Sequence, residues 1–373
     1  MASGNSALPS TMKALVHEGK GDILTLKDVP TPQPTPGSVV VRVLAALADA
    51  NIPRILSGEV SFFTFPIPFV PGTRSVGRVA SIGSDTTSLE VGQLVLIEPF
   101  FRARDNPNLQ ILWGAFDGPT PASKKWTADN WRDASYAEYA KAPLENVWPL
   151  NEEKLCVKLG YSIPELVQLA VDAVAYGGLR GIDVKAGERL IVTPATGMFS
   201  GATVGIAVGM GASVIAVGRD KKTLQPLKDT YPDSVEIVQL TGDLEVDKKA
   251  MMAFGPVDVM LEMSPGSAAK STYAKAALGA LKQYGRASIM GVLPKDVEVS
   301  YFDLVFRNLT IKGQYMYERE DVRAMIKMAE SGVMKLGKER GEVVGEFRLA
   351  DFEKAFAAAS KNPGVGKLVV LTP

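Results

Sequence analysis

Hydrophobic and polar positions are unevenly distributed along this chain, and a long uncharged stretch lies in its middle. No charged residue occurs from Leu190 to Gly218, and four charged residues follow at once, at 219–222. The pattern predicts a short strand, a glycine-containing turn, a helix and a second strand, over 190–193, 194–201, 202–210 and 213–217. This order of elements is typical of the first half of a dinucleotide-binding βαβ unit.

The same stretch exceeds the roughly 20 apolar residues that a membrane-spanning helix needs. However, Pro194 interrupts it, six glycines lie from Gly197 to Gly218, and no basic residue flanks its N-terminal side. Because proline and glycine disfavour a continuous helix, the pattern favours a soluble nucleotide-binding unit.

The segments on either side have different patterns. Residues 12–100 contain alternating and β-branched runs between turns, which predicts a β-rich first part. Residues 101–135 are polar and turn-rich, and they carry three of the four tryptophans, so we expect a long functional or interaction loop. Beyond 218, strands alternate with helices to about 292, which predicts a parallel sheet covered on both faces. A closing strand is predicted at 367–371.

Composition narrows the function further. A chain of 373 residues is expected to form two domains. Its 41 basic residues balance 41 acidic residues, so no charge field favours nucleic acid or an anionic membrane as a partner. The single cysteine, Cys156, fits a reducing compartment, and no segment of signal-peptide type is recognised, so we expect a cytoplasmic protein. With one cysteine and one histidine, His17, neither a zinc site nor a histidine-dependent triad is expected, and no metal ligands are predicted.

Several motifs together carry a family resemblance. PFVPGTRSVGRVASIGSD, EVGQLVLI and the final GKLVV resemble landmarks of the medium-chain dehydrogenase/reductase superfamily, and the likeness extends from Met12 to Leu371. The resemblance implies an α/β protein in which a Rossmann doubly wound parallel sheet is inserted in a GroES-like, β-rich catalytic domain. The implied boundaries are 1–163 for the catalytic domain, with 309–373 returning to it, and 164–308 for the Rossmann domain. It also implies a homodimer that extends its sheet across the nucleotide domain.

The chain departs from zinc-dependent members of this superfamily at every metal position. Asp49 falls where they have a cysteine, Thr73 and Arg74 fall where they have a His-Glu pair, and their third ligand falls near Ala170. The four-cysteine structural zinc loop is absent from 98–135. The chain is therefore similar to the zinc-independent branch of quinone oxidoreductases, enoyl reductases and related fungal alcohol dehydrogenase-like proteins.

The predicted coenzyme residues lie at three places. The family's Gly-x-Gly-x-x-Gly becomes Ala195-x-Gly197-x-x-Ser200, with Gly201 next, and small residues still allow a pyrophosphate to approach the backbone. Where an NAD site would have a carboxylate, the chain has Gly218 and then two cations that suit a 2′-phosphate, so NADP(H) is predicted. The nicotinamide is expected at the carboxyl ends of later strands. The predicted set is Thr196, Gly197, Met198, Phe199, Ser200, Gly218, Arg219, Lys222, Met263, Ser264, Met290, Gly291 and Val292.

Hydride transfer without a metal leaves two ways to accommodate the negative charge that develops. Either the acceptor delocalises it, as an enone, enoyl thioester or quinone does, or a protein acid donates to it. Asp49, Asn51 and Tyr315 are the candidate catalytic residues, with Tyr317 as a second phenol. The aromatic segment 61–69 and the tryptophan-bearing segment 101–135 could form an apolar cleft for a substrate. Packing in a protein core explains their composition equally well.

The leading expectation is an NADP(H)-dependent, zinc-independent oxidoreductase that reduces an activated C=C or C=O of an apolar small molecule. One alternative is a metal-free alcohol dehydrogenase or ketoreductase that uses a side-chain acid. Another is a catalytically silent NADP(H)-binding sensor or partner protein.

Overall fold

The computed structural model describes residues 8–19, 23–294, 296 and 298–373. The chain forms two compact units. The first unit contains residues up to 170 together with 342–363 and 367–373, and the second contains 171–341 and 364–366. The unit boundaries thus lie at 170/171 and 341/342, where the sequence analysis sets 163/164 and 308/309.

The first unit is mostly β-structure. Its strands are β1 (Thr11–Val16), β2 (Thr25–Pro30), β3 (Ser38–Leu47), β4 (Ser75–Ile82), β5 (Leu94–Ile97), β6 (Phe100–Arg102), β7 (Gln110–Leu112), β8 (Tyr139–Pro143), β9 (Val147–Pro149), β16 (Glu342–Arg348) and β17 (Lys367–Thr372). Its α-helices are α1 (Ile52–Leu56), α2 (Pro121–Asn130), α3 (Ile163–Leu166) and α11 (Phe352–Lys361), with 3₁₀ turns at Leu144–Asn146 and Leu349–Asp351 and a π-helix at Glu153–Lys158.

A seven-stranded sheet organises this unit in the order β16-β17-β3-β4-β5-β9, and β8 pairs with part of β3. β3 is its longest member, and valines 39, 41 and 43 of this strand are buried in the core with Trp113 and Tyr136. Each such valine stabilises the fold by about 1.5–3 kcal/mol relative to an exposed position. β1 with β2 and β6 with β7 form two small antiparallel sheets beside it.

The segment 101–135 is more ordered than expected, because it contains β7 and α2 as well as the end of β6. The side chain of Thr120 accepts a hydrogen bond from the Ser123 backbone and starts α2. Trp113 stacks on Phe101 at 5.1 Å between ring centroids, and Trp131 meets the same ring edge-on at 5.9 Å. These tryptophans therefore belong to the packing of the first unit.

The second unit alternates strands with helices. Its strands are β10 (Arg189–Thr193), β11 (Ser213–Gly218), β12 (Val235–Gln239), β13 (Val257–Glu262), β14 (Leu281–Ile289) and β15 (Thr310–Gly313). Its helices are α5 (Met198–Gly209), α6 (Lys221–Thr230), α7 (Leu244–Met252), α8 (Tyr273–Ala280), α9 (Tyr301–Phe306) and α10 (Arg319–Glu330), with 3₁₀ turns at Gly266–Ala268 and Gly337–Glu339. Helix α4 (Gln168–Gly181) contains the boundary between the units.

The strands of this unit form one parallel sheet in the order β12-β11-β10-β13-β14-β15. The predicted doubly wound sheet is therefore confirmed. The strand order reverses between β10 and β13, and ligands of such sheets bind at the carboxyl ends of the strands beside this reversal. Since β15 pairs with β14, the expected return of the chain at 309 is instead the edge of this sheet. In the part of the chain that the structure describes, no helix is both long enough and apolar enough to cross a membrane.

Candidate functional site

The turn after β10 is held close to the sheet by backbone contacts. The Ala195 amide donates to the Val217 carbonyl at 2.7 Å, and α5 begins at Met198 with Gly197 as its N-cap. A Cβ on Gly201 would lie 2.3 Å from the Val365 Cβ and 2.8 Å from the Ala195 carbonyl oxygen, so only glycine fits there. The N-terminus of α5 therefore lies directly beyond the end of β10, where helix amides favour an anion.

Four of the five turn residues predicted to contact a pyrophosphate, at 196–199, are partly exposed. Ser200 is buried, and its hydroxyl accepts a hydrogen bond from the Gly197 amide at 3.2 Å. The hydroxyl of Ser200 therefore supports the start of the helix, a role that the sequence analysis did not assign to it.

The end of β11 lies against this turn. A Cβ on Gly218 would lie 2.9 Å from the Thr196 Cγ2, so the turn can pack this closely only because residue 218 has no side chain. Arg219 and Lys222 follow as exposed side chains. The structure thus brings the predicted turn residues and the predicted phosphate-binding cations to one edge of the sheet.

Asp220, between these two cations, has a structural role. Its carboxylate accepts hydrogen bonds from the Lys222 amide and the Thr223 hydroxyl, both at 2.9 Å, and so caps α6. The bond from the Lys222 amide lowers the pKa of Asp220 most, and that from Thr223 lowers it further. The side-chain amide of Gln239, at the end of the neighbouring strand β12, donates to the Arg219 carbonyl at 3.2 Å. The sequence pattern did not reveal this contact.

Backbone hydrogen bonds join the predicted residues at the ends of β13 and β14. The Met263 amide donates to the Thr193 carbonyl at 3.1 Å, and the Val292 amide donates to the Ser264 carbonyl at 2.9 Å. The Met290 amide similarly donates to Glu262 at 2.8 Å. Because these amides already have partners, a ligand carboxamide at this edge would be recognised through carbonyl oxygens.

Glu262 is a buried carboxyl group at this edge that the sequence analysis missed. It ends β13 beside Thr193 of β10, is 1% exposed, and accepts hydrogen bonds from the amide and the hydroxyl of Ser264. The Tyr273 hydroxyl donates in turn to the Ser264 hydroxyl at 2.8 Å. Burial raises the pKa of Glu262, although the bonds from Ser264 oppose this shift. Its only signal in the sequence is an acidic residue that ends an apolar run.

The first unit contains two of the predicted catalytic residues, Asp49 and Asn51, in contact with each other. The Asn51 backbone and side-chain nitrogens donate to Asp49 Oδ1 at 2.9 and 3.0 Å. Asp49 is buried, whereas Asn51 is exposed and precedes α1. Asp49 Oδ1 therefore accepts both bonds from Asn51.

Arg74 occupies the centre of this site, and the sequence analysis did not count it as a site residue. Its Nη1 lies 3.6 Å from Asp49 Oδ2, and its Nε donates to the Ala170 carbonyl at 3.2 Å. Nη1 also donates to the Thr73 hydroxyl at 3.4 Å. The structure therefore gathers positions 49, 73, 74 and 170 around one guanidinium group.

The backbone explains why these positions meet. Leu47, at the end of β3, donates to the Arg74 carbonyl at 2.8 Å, and Ala48 donates to Val369 of β17 at 2.9 Å. The Tyr136 hydroxyl donates to the Leu47 carbonyl at 2.8 Å, and burial raises the pKa of this phenol. Gly72 has φ of +113° and no room for a side chain beside Tyr136, which sets the path of the chain into Arg74.

Tyr315 lies in the second unit, just after β15, and is 53% exposed. Tyr317 is in the same unit but is buried, at 2% exposure. Of the predicted catalytic residues, the structure therefore brings Asp49 and Asn51 together, and Tyr315 belongs to the other unit.

Part of the aromatic segment 61–69 is exposed. Phe62 is 56% exposed and Ile67 is 55% exposed, while Phe62 and Phe63 both pack near Phe116 at 5.4 and 5.3 Å between ring centroids. A groove of about 470 Å³ in the first unit is lined by residues of β1 and β2, by Pro68 and Phe69 of this segment with Val70, and by the segment 128–141. None of the predicted site residues lines this groove.

Comparisons with known proteins agree with this architecture. A family model described as "Alcohol dehydrogenase GroES-like domain" matches residues 35–152, and one described as "Zinc-binding dehydrogenase" matches 200–331. An alcohol dehydrogenase of Rhizobium meliloti (strain 1021) is 27% identical over 334 residues, which are 86% of this chain and 89% of that protein.

Two solved structures show the same fold. A thermostable alcohol dehydrogenase from Pyrobaculum aerophilum with bound cobalt and zinc has a TM-score of 0.73 and 21% identity, covering 97% of this chain and 100% of that chain. A short chain alcohol dehydrogenase from E. coli CFT073, complexed with cofactor NADH, has a TM-score of 0.75 and 18% identity, covering 98% and 100%. The predicted combination of a GroES-like part and a Rossmann-like sheet is confirmed.

The zinc in one of these matches prompts a test of the corresponding positions. A catalytic zinc uses three protein ligands from cysteine, histidine and carboxylate side chains. Here the positions hold one carboxylate, a threonine, an alanine and a cationic arginine. In the part of the chain that the structure describes, no group of three histidine, cysteine, aspartate or glutamate residues is arranged to hold a metal ion. The residues present do not fit a catalytic zinc.

Proposed function

This chain is an oxidoreductase of the medium-chain dehydrogenase/reductase superfamily, and we propose that it transfers hydride between NADP(H) and an apolar small molecule without using zinc. The second unit supplies the coenzyme site, with its turn at 194–201 and its strand ends at 218, 262 and 289. NADPH, when bound, supplies a hydride, and an activated C=C or C=O accepts it. The exposed apolar side chains of Phe62 and Ile67 in segment 61–69 suit an apolar substrate.

The observation that carries the coenzyme proposal is Gly218 followed by Arg219 and Lys222. A carboxylate at the end of β11 would favour the ribose hydroxyls of NAD. Here Gly218 has no side chain, and the nearby Asp220 is engaged in capping α6. The Arg219 guanidinium is exposed, and it can form paired hydrogen bonds with a phosphate.

Titration of the protein with NADPH and NADH, followed by coenzyme fluorescence, tests this proposal. We expect NADPH to bind at least tenfold more tightly than NADH. Arg219→Ala should weaken NADPH binding by about 10- to 100-fold, the loss of charge-assisted hydrogen bonds of about 1.5–3 kcal/mol. The matched control is Lys221→Ala, an exposed cation two residues away at the start of α6. Equal affinities for the two coenzymes in the unmodified protein would refute the proposal.

The reaction itself requires an activity screen. Enones, quinones, aldehydes and ketones are offered with NADPH, and oxidation is followed by absorbance. We expect turnover with apolar members of this set in protein that elemental analysis shows to contain no stoichiometric zinc. Tight NADPH binding with no turnover on any compound would instead support a silent coenzyme-binding protein.

We also propose that two copies of the chain associate through the edge of the second unit. β15 is the terminal strand of its sheet, and the nearby α9 exposes Tyr301, Phe302 and Phe306 at 81%, 66% and 65%. Exposed strand edges and apolar patches favour pairing with another chain. Light scattering after gel filtration should give a dimer mass, and Phe306→Asp should give a monomer. Val246→Asp, at an exposed position of α7, is the control.

A further inference from the structure

A groove in the first unit contains none of the predicted catalytic or coenzyme residues. Its volume is about 470 Å³, and it is lined by residues of β1 and β2, by residues 68–70 and by the segment 128–141, all of the first unit. Small-molecule sites in proteins commonly have volumes of about 300–1,000 Å³, with mostly apolar walls and a few polar groups. The groove therefore has the size of a small-molecule site and lies within one unit.

Apolar side chains form much of the groove wall. Met12, Phe69 and Val70 are buried in the first unit and line the groove. Pro30 and Pro68 also line it, and proline adds apolar surface without a backbone N–H donor. Because burial of apolar surface is favourable, these walls suit the alkyl or aryl part of a ligand.

Three of the four charged side chains in the groove have a partner of opposite charge. Asp133 Oδ2 lies 3.1 Å from Arg132 Nη2, and Asp129 pairs with Lys125 of α2. These two pairs carry no net charge. The fourth charged side chain is that of Lys141, so the groove has one positive charge that these pairs do not balance.

Lys141 is partly buried in β8 and contacts an aromatic ring. Its Nζ lies 5.6 Å from the centre of the Trp131 ring, and in the part of the chain that the structure describes it forms neither an ion pair nor a side-chain hydrogen bond. Burial lowers the pKa of Lys141, and the nearby charge of Asp133 opposes this shift. Lysine usually keeps its ammonium group in water, and an aromatic ring balances the charge less completely than a carboxylate does. A carboxylate in the groove would therefore supply the partner that the described residues do not.

We propose that this groove, the Lys141 groove, binds a small apolar monocarboxylate. The carboxylate pairs with the Lys141 ammonium group, and the apolar part of the molecule lies against Met12, Phe69 and Val70. Tyr139, two residues before Lys141 on β8 and so on the same face of the strand, adds a hydroxyl to the groove lining. A single negative charge is favoured because the groove has one unbalanced positive charge. The proposal does not depend on the oxidoreductase function, since none of these residues belongs to the proposed reaction.

Calorimetric titration with octanoate tests the proposal, with octan-1-ol and octylammonium as neutral and cationic analogues of the same length. We expect one octanoate per chain, bound about tenfold or more tightly than octanol because an ammonium–carboxylate hydrogen bond is charge-assisted, and no binding of octylammonium. Saturating NADPH should change the octanoate affinity less than twofold, because the groove contains no predicted coenzyme residue. Octanol bound as tightly as octanoate, or no binding of octanoate, would overturn the proposal.

Substitutions of Lys141 locate the bound carboxylate. Lys141→Met keeps an unbranched apolar side chain without the charge, so it should bind octanoate about tenfold more weakly and octanol within twofold of the unmodified protein. Lys141→Arg keeps the charge and should bind octanoate more tightly than Lys141→Met does. The matched control is Lys124→Met, which removes an exposed cation of α2. If Lys141→Met binds octanoate as tightly as Lys124→Met does, the anion binds elsewhere and the proposal is wrong.

Chemical protection gives a second test in the unmodified protein, which does not depend on the folding of a variant. Lysines are reductively methylated with formaldehyde and borohydride, and the rate at each lysine is followed by peptide mass spectrometry. Saturating octanoate should slow the methylation of Lys141 at least threefold and leave that of Lys124 unchanged, whereas octanol should protect neither. An unchanged rate at Lys141 with octanoate would contradict the pairing of the carboxylate with this ammonium group.

Discussion

Replacing Gly218 by aspartate should reverse the coenzyme preference. The new side chain would place a carboxylate at the end of β11, where a 2′-phosphate is proposed to bind. Two unit charges 4 Å apart interact by about 1 kcal/mol in water and about 4 kcal/mol at a typical protein surface. We therefore expect NADPH binding to weaken by about fivefold to several hundredfold from charge alone, since each 1.4 kcal/mol is about tenfold. NADH binding should improve, because a carboxylate accepts hydrogen bonds from the ribose hydroxyls.

The same substitution also has a steric cost that must be separated from the charge effect. A Cβ at 218 would lie 2.9 Å from the Thr196 methyl group and 3.2 Å from Leu224, so the turn has to shift slightly. Gly218→Asn imposes this shift without the charge, and Thr196→Ser removes the methyl group that causes most of it. The ratio of the NADPH dissociation constants of the Asp and Asn variants, measured by fluorescence titration, therefore reports the electrostatic part. Equal constants for these two variants would refute the reasoning.

Three further predictions concern the second unit. Gly201→Val should abolish saturable NADPH binding in a fluorescence titration, because its Cβ would overlap Val365; unchanged affinity would contradict the tight packing of α5. Arg340→Met should lower the free energy of unfolding in urea by about 3–5 kcal/mol, since it removes the guanidinium that pairs with the fully buried Asp172. Changing both residues to Met and Asn should recover most of this loss, and a double variant as unstable as the single one would exclude the explanation. For Glu262, burial raises the folded-state pKa, so the folded protein binds more protons than the unfolded chain between the ordinary carboxyl pKa and the raised value. Stability should therefore fall as pH rises through this interval. Urea unfolding of Glu262→Gln and of the unmodified protein is compared at pH 4 and pH 7. The free energy of unfolding of Glu262→Gln should rise relative to that of the unmodified protein at the higher pH. A constant difference between the two proteins would show that this carboxyl is not responsible.

The βαβ start of the second unit was predictable because its pattern is local. An uncharged run with Gly197 and Gly201 between two apolar strands has few alternative structures, and the observed bounds of β10 and β11 agree with the prediction within one residue. Helix α2 was missed for the opposite reason. Its sequence, PASKKWTADN, has no apolar stripe, so its position depends on the Thr120 cap and on contacts with distant parts of the chain.

The Arg74 site shows a second limit of sequence reasoning. The resemblance places Asp49, Thr73, Arg74 and Ala170 at metal positions, and by itself it shows each departure only as the loss of a ligand. Only the fold shows that the Arg74 side chain reaches Asp49 and the Ala170 carbonyl together. Such a contact depends on the pairing of β3 with β4 and on the start of α4, and neither is encoded near residue 74.

The pairing of β17 with β3 has a consequence for how the protein is made on the ribosome. Val370 and Leu371 pair with Leu47 and Ala46, and the Val369 carbonyl accepts a hydrogen bond from the Ala48 amide, next to Asp49. The first half of the chain therefore emerges long before the strand that completes its sheet. Until then, the end of β3 lacks the partner strand β17, and open strand edges favour association with other chains. A chain that ends before β17 should thus change both the yield of folded protein and the structure of the segment around Asp49, even though the coenzyme residues lie elsewhere in the sequence.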